Sequence, residues 1–167
     1  MSDPYQETVN GETVLRLPPR PRHEAINARL HQRVARAATG LVTTKLLGPR
    51  TRIELSVTNI FRPDLALVTA ASDKLWLVAE VINSDDHHAD TVDKKAVYGE
   101  LKLPRLWMVD PRYDNVEVYH GTPYGLTLKR VLAGRDLLTE ALLPGFDYPV
   151  HELFAGDPVA EPGRYDF

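Results

Sequence analysis

The sequence predicts an α/β fold in which a mixed β-sheet is flanked by helices. Residues 75–82 are apolar except for Glu80, and such a run is typical of a strand buried on both faces. A helix expected from Asp90 and a second apolar run at 106–109 follow closely, which makes a crossover between parallel strands. The short turn between residues 63–69 and the buried strand permits an antiparallel pair. The sheet is therefore expected to be mixed.

Composition favours one soluble globular domain over residues 1–167, with 156–167 as a loosely held tail or subunit contact. Hydrophobic residues make up 43% of the chain and charged residues 26%, enough for a single core. No signal-peptide pattern or membrane-length apolar run is present, so we expect a cytoplasmic chain. The absence of cysteine excludes disulfides, thiolate metal sites and a cysteine nucleophile. The net charge of −3 offers no general basic field, so any attraction for nucleic acid must be local.

The N-terminal part of the chain predicts a hairpin followed by an amphipathic helix. Asn10-Gly11 is a strong two-residue turn signal inside a hairpin at residues 7–17. Residues 22–38 place apolar side chains at helical spacing, namely Ile26, Leu30, Val34 and Ala37. The other face carries polar side chains that we expect to be solvated, namely His23, Arg29, His31, Arg33 and Arg36.

Further segments are expected to be strands. The β-rich segments 41–47 and 52–57 flank Gly48-Pro49, which predicts that they pair as antiparallel strands. Residues 116–119 and 124–131 predict more β-structure after the crossover unit. The strand period of two places four side chains of the buried strand on one face, namely Trp76, Val78, Glu80 and Ile82.

Glu80 is the first functional clue, because an ionised carboxylate in a buried strand is costly unless it is paired, hydrogen-bonded or metal-bound. It lies near the end of its strand, where ligands gather in crossover units. Asp64 starts the preceding strand and meets Glu80 if the two strands are antiparallel. With Asp90 as the helix N-cap, Lys94 lies about 6 Å along the helix axis, a distance that its side chain spans.

Two carboxylates that converge with a lysine can hold a hard divalent cation through oxygen atoms, while the ammonium stabilises a developing anion. Phosphodiester hydrolysis is the usual reaction of such a set. Each residue also has a structural interpretation: Asp64 as a turn residue, and Lys94 as a solvent-facing lysine. Lys95 points about a hundred degrees away and is a weaker candidate. Tyr98 shares the Lys94 face and is expected to pack.

The motif residues resemble a known superfamily. Pro63-Asp64 and Glu80-Val81-Ile82, with fifteen residues between the two acids, resemble the PD-(D/E)XK nucleases, except that Ile82 stands where most members have lysine. The longer pattern of Glu80-Val81, Asp90, Lys94 and Tyr98, followed by 106–111, closely resembles a bacterial group of Uma-type restriction endonucleases, in which the lysine lies on the helix. The matches extend over nearly the whole chain, namely to Glu7-Thr8-Val9-Asn10-Gly11, His23, Leu143-Pro144-Gly145-Phe146 and Leu153-Phe154.

The resemblance implies a restriction-endonuclease-like core with an N-terminal hairpin, and an endonuclease that hydrolyses DNA. It implies that Asp64, Glu80 and the Val81 carbonyl hold Mg²⁺ or Mn²⁺. Lys94 is then the charge-stabilising catalytic residue, and Glu7 is a further acidic residue near the metal. Duplex DNA is favoured over RNA as the substrate, and a homodimer is expected because two-fold symmetry matches duplex DNA.

Two alternatives stay open at this stage. The first is a catalytically inactive module of the same fold that binds nucleic acid or protein, which fits the missing lysine at Ile82, the negative charge and the acidic loop 85–88. The second is a zinc site at His87 and His88, which lacks a third ligand at a recognisable spacing.

Overall fold

A computed structural model of the protein describes residues 3–83 and 88–155. The strands in chain order are β1 (Tyr5–Val9), β2 (Glu12–Arg16), β3 (Thr44–Leu46), β4 (Ile53–Ser56), β5 (Asn59–Phe61), β6 (Leu65–Thr69), β7 (Leu75–Val81), β8 (Arg105–Asp110), β9 (Asn115–Thr122), β10 (Gly125–Ala133), β11 (Leu137–Thr139) and β12 (Asp147–Pro149). The helices are α1 (Pro21–Ala38), α2 (Lys95–Glu100), which continues a π-helical segment at Ala89–Lys94, and α3 (Val150–Leu153). The tail 156–167 and most of the acidic loop lie outside the described residues.

The central sheet is mixed, as the sequence predicts. Its six strands run in the order β10-β9-β8-β7-β6-β3. Strands β7 and β8 are parallel and are joined by the helical crossover, whereas the other neighbours are antiparallel. No helix in the described part of the chain is long and apolar enough to cross a membrane.

The N-terminal hairpin forms part of a second sheet with the order β2-β1-β5-β4. The predicted pairing of 41–47 with 52–57 is wrong, because β3 joins β6 in the central sheet while β4 turns back onto β5. Backbone hydrogen bonds from Leu47 to Ala66 and from Arg50 to Pro63, both 3.0 Å long, hold the intervening loop against the β6 segment. The Gly-Pro turn thus carries the chain from one sheet to the other.

Strand β7 separates two apolar clusters, because its side chains alternate between the faces of the sheet. Leu77, Ala79 and Val81 pack towards α1, whereas Val78 and Ile82 pack with Phe61 and with side chains of α2. Glu80 therefore belongs to the face that α2 and the hairpin sheet cover. Trp76 lies in the α1 cluster, contrary to prediction, because a bulge opposite Leu67 and Val68 shifts the register there.

Gly121 in β9 allows a close approach between two chain segments. A Cβ atom at this position would lie 2.3 Å from the Leu103 carbonyl oxygen and 3.2 Å from Pro104 Cα. We expect Gly121→Ala to destabilise the protein by about 1–3 kcal/mol, because backbone must move to admit the methyl group. Urea unfolding followed by circular dichroism measures the change.

Gly99 in α2 is the matched control for Gly121, since a Cβ there meets its nearest neighbour at an ordinary 3.6 Å. Gly99→Ala is expected to be neutral or to stabilise the protein by up to about 1 kcal/mol. Equal changes in the free energy of unfolding for the two substitutions would show that the close approach to the Leu103 carbonyl does not disfavour a methyl group at residue 121.

Candidate active site

Adjacent antiparallel strands bring Asp64 and Glu80 together. The register pairs Leu65 with Ala79, so Asp64 lies beside the end of β7 where Glu80 and Val81 are. The Asp64 Oδ2 atom accepts a hydrogen bond of 2.8 Å from the Val81 backbone N–H. Both acidic residues are buried, at 3% and 2% exposure. The two strands are antiparallel, which is the condition under which the sequence predicts that Asp64 and Glu80 meet.

Lys94 is completely buried, and its ammonium group faces acidic side chains from three elements. Its Nζ atom lies 2.5 Å from Glu80 Oε2 and 2.8 Å from Glu7 Oε2. Asp90 Oδ1 is 3.7 Å away, and the Phe61 ring centroid is 5.1 Å away. These carboxylates raise the pKa of Lys94 despite its burial. The interpretation of Lys94 as a solvent-facing helical residue is therefore wrong.

Glu7 connects the hairpin to Lys94. Its Oε1 atom accepts a 2.5 Å hydrogen bond from Arg16, and its Oε2 atom accepts hydrogen bonds from Lys94 and from the Arg62 backbone N–H. Burial opposes ionisation of Glu7, but Lys94 and Arg16 outweigh it and lower the pKa of the carboxyl group. Both oxygens of this carboxylate are thus occupied by protein donors.

Asp90 is an internal ion-pair partner, and its prediction as a helix N-cap is wrong. The segment starts two residues earlier than expected: His88 precedes it in a helical conformation without a side-chain cap. The Asp90 carboxylate, 1% exposed, accepts a 2.9 Å hydrogen bond from Arg16. Arg16, which the sequence did not single out, pairs with both Glu7 and Asp90 from the end of β2.

One row of polar side chains on α1 supports Asp64 and Val81. His23, Asn27 and His31 are spaced four residues apart and lie on one side of the helix. His23 Nε2 lies 2.6 Å from the Val81 carbonyl oxygen, and both Asn27 and His31 contact the Asp64 carbonyl oxygen. The prediction of a solvated face is therefore wrong for the two histidines. The four-residue spacing of His, Asn and His beside the apolar row is the sequence pattern that could have indicated these contacts.

His23 also lies 3.5 Å from Asp64 Oδ2. Burial disfavours its protonation, but the Asp64 carboxylate outweighs burial and raises the pKa of His23 to about 10. Reciprocally, the pKa of Asp64 is lowered despite burial by His23 and Arg50. The protonated ring donates its Nε2 hydrogen to the Val81 carbonyl.

Tyr98 packs as predicted and also holds Glu80. Its ring meets Phe61 edge-on at a centroid distance of 5.3 Å, and its hydroxyl donates a 2.7 Å hydrogen bond to Glu80 Oε2. Lys95 turns away and donates to the Tyr119 hydroxyl at 3.2 Å. Lys94 is therefore the lysine that reaches the acidic cluster.

The cluster holds more carboxylates than cations. Three buried acids, Glu7, Glu80 and Asp90, surround two buried cations, Arg16 and Lys94. Burial, opposed by Lys94 and reinforced by the neighbouring acids, raises the pKa of Glu80 to about 8. An additional positive charge is consequently favoured here.

The donor set also fits a hard divalent cation. Oδ1 of Asp64 and Oδ1 of Asp90 are buried acceptors without a hydrogen-bond donor among the described residues. Carboxylate and carbonyl oxygens are the ligands that Mg²⁺ prefers. Three His, Cys, Asp or Glu side chains do not converge on one point within 3–83 and 88–155, whereas the predicted set needs only two carboxylates and a carbonyl. His87 lies outside these ranges, and His88 is exposed beside Asp93.

Comparison with known proteins agrees with this fold. The profile of the Uma2 family, described as “Putative restriction endonuclease”, matches residues 2–151. The crystal structure of “a putative nuclease belonging to DUF820” from Anabaena variabilis is similar, with a TM-score of 0.76 at 13% sequence identity. That match covers 92% of this chain and 91% of the other. A search of curated protein sequences gave no match. The predicted restriction-endonuclease-like fold is confirmed.

We expect Lys94→Met to destabilise the protein by about 3–5 kcal/mol, because it leaves buried carboxylates without their shared cation. The double variant Lys94→Met with Glu80→Gln is expected to recover much of this loss, since it also removes a buried charge. Chemical unfolding of both variants at neutral pH measures the difference.

Lys95→Met is the matched control for this experiment and is expected to cost about 1 kcal/mol or less, the value of its hydrogen bond to Tyr119. A Lys94→Met protein as stable as the Lys95→Met protein would contradict the dependence of the acids on the Lys94 ammonium.

Proposed function

We propose that this chain, which belongs to the Uma2 family, is a metal-dependent endonuclease that hydrolyses phosphodiester bonds in DNA. The observation that carries the proposal is the buried contact between Lys94 and Glu80, next to Asp64. The family and the nuclease-like fold support hydrolysis of nucleic acid in general. Metal dependence and the choice of duplex DNA are the finer parts of the proposal.

Asp64, Glu80 and the Val81 carbonyl would hold Mg²⁺ or Mn²⁺. Such an ion would supply charge neutralisation and would activate water for attack on phosphorus. The excess of buried carboxylates supports this assignment, as does Asp64 Oδ1, which has no hydrogen-bond donor among the described residues. His23 holds the Val81 carbonyl oxygen itself, and Asn27 donates to the backbone carbonyl of Asp64, which keeps these ligands in place before substrate arrives.

Lys94 supplies the fixed positive charge that stabilises negative charge developing on the phosphate. Its surroundings exclude water, so its electrostatic effect is stronger than that of an exposed lysine. Glu7 is a positioning residue, because its carboxylate provides the ammonium with a second anchor besides Glu80. Tyr98 positions Glu80 through its hydroxyl.

Titration calorimetry with Mg²⁺ and a plasmid-nicking assay test the proposal together. We expect wild type to bind the metal and nick DNA, and Asp64→Ala and Glu80→Ala to lose both properties. Glu54→Gln, which changes an exposed acid on β4, is expected to behave as wild type.

A wild-type protein that neither binds the metal nor cuts nucleic acid would contradict the proposal. Metal binding without cleavage of any DNA or RNA would instead favour the inactive binding module.

Sedimentation of wild type with and without duplex DNA tests the expected homodimer.

A positioning role for Glu7 predicts that Glu7→Gln lowers kcat by about 10–100-fold with little change in Mg²⁺ affinity. The amide cannot hold the ammonium by charge, whereas the predicted metal ligands are unchanged. Glu12→Gln, at an exposed site of the same hairpin, is the control. A Glu7→Gln protein whose main loss is in metal affinity would make Glu7 a metal ligand, as the resemblance implies.

A further inference from the structure

Arg50 is the most exposed of the ionic partners of Asp64. Its side chain is 16% exposed, whereas Asp64 and His23 are at 4% and 7%. The Arg50 Nε atom lies 3.3 Å from Asp64 Oδ1, and its two terminal nitrogens contact the Glu24 carboxylate at the start of α1. Arg50 therefore stands between the buried acid and solvent.

The backbone at Arg50 is held in an unusual conformation. Its φ angle is +55°, in the left-handed region that residues other than glycine adopt infrequently. Its N–H donates to the Pro63 carbonyl at 3.0 Å, which fixes the loop to the residue preceding Asp64. Such conformations are concentrated at ligand sites, where the surrounding structure maintains them.

The guanidinium retains unused binding capacity. Neither Arg50 Nε nor Asp64 Oδ1 has a hydrogen-bond partner among the described residues, although the two atoms are only 3.3 Å apart. Their contact is an ion pair without hydrogen-bond geometry. A guanidinium presents five donors in a planar fork that matches phosphate oxygens. Arg50 Nε is itself buried, but each terminal nitrogen carries a second N–H besides the one that contacts Glu24, and these are the donors that a phosphate oxygen can bind.

A second arginine adds positive charge at the same place. Arg62 lies two residues before Asp64, and its Nη1 donates to the Arg50 carbonyl at 3.4 Å. Its backbone N–H binds Glu7. The two arginines place positive charge beside Asp64, which a polyanion can use although the net charge of the chain is −3.

We infer that Arg50 contacts a backbone phosphate of the nucleic acid next to the bond that is cut. This inference rests on the proposed nuclease function and assigns one substrate contact to it. Glu24 holds the side chain near Asp64 in the absence of substrate. Phosphate contacts of this kind position the substrate without reading its sequence.

Fluorescence anisotropy of a labelled DNA duplex across a KCl series tests the contact, with Ca²⁺ replacing Mg²⁺ and duplex integrity checked afterwards. Each phosphate contact contributes about 0.9 to the slope of log affinity against log salt concentration. We expect Arg50→Gln to weaken binding and to reduce the magnitude of this slope by about 0.9. Arg52→Gln, in the same loop and exposed, is the matched control and is expected to keep the wild-type slope.

Glu24→Gln is the second variant, because it leaves the arginine in place. Loss of its charge releases the guanidinium, so binding is expected to tighten more than in the surface variant Glu54→Gln. Thermal unfolding of each variant confirms that it is folded. Equal affinities of the Glu24 and Glu54 variants, or a wild-type salt slope in Arg50→Gln, overturn the inference.

The outcomes also separate this inference from the function on which it rests. Wild type that binds the duplex while Arg50→Gln keeps its salt slope overturns the arginine contact alone. Wild type that binds neither duplex DNA nor RNA overturns the nuclease proposal, and the contact with it. A purely structural role for Arg50 would change the unfolding temperature and leave the salt slope unchanged.

Discussion

The ion pair between Lys94 and Glu80 is the interaction on which the rest of the site depends. Two ions buried on an apolar face are unfavourable unless further groups satisfy their remaining hydrogen-bonding capacity. Here Glu7 accepts a second hydrogen bond from the ammonium, and the Tyr98 hydroxyl donates to the same Glu80 oxygen that Lys94 contacts. Arg16 then balances Glu7. Each added group requires the next, which explains why five ionisable side chains lie within one buried cluster.

This chain of charge compensation explains the architecture around the central sheet. The crossover after β7 supplies Lys94 and Asp90, and the hairpin supplies Glu7 and Arg16 from two paired strands. Without the hairpin, the helix would bring an ammonium and a carboxylate to Glu80 with no outer partners. The second sheet therefore completes the interior of the site as well as covering the central sheet. Apolar neighbours such as Phe61 keep water out, which strengthens the electrostatic interactions within.

Sequence patterns predict the parts of the site that local rules determine. The apolar run around Glu80 and the short turn before it establish the antiparallel pair that brings Asp64 close. The rise of the helix from Asp90 places Lys94 close enough for its side chain to reach Glu80. The partners of polar side chains are set by tertiary packing, so Arg16, Asp90 and His23 were assigned to solvent or caps, or passed over. Periodicity separates apolar from polar faces of α1, but it does not show that the edge of the polar face meets the end of β7.

Ile82 stands at the strand position where the resembled superfamily has lysine, and the ammonium beside Glu80 comes from the helix instead. It lies on the same face of the sheet as Glu80, within the apolar cluster that includes Val78 and Tyr98. Lys94 reaches the Glu80 carboxylate from the crossover helix, so an ammonium contacts this acid although the strand itself carries no lysine. A second lysine at residue 82 would equalise the buried acids and cations. The apolar Ile82 instead leaves one more carboxyl group than cations in the cluster.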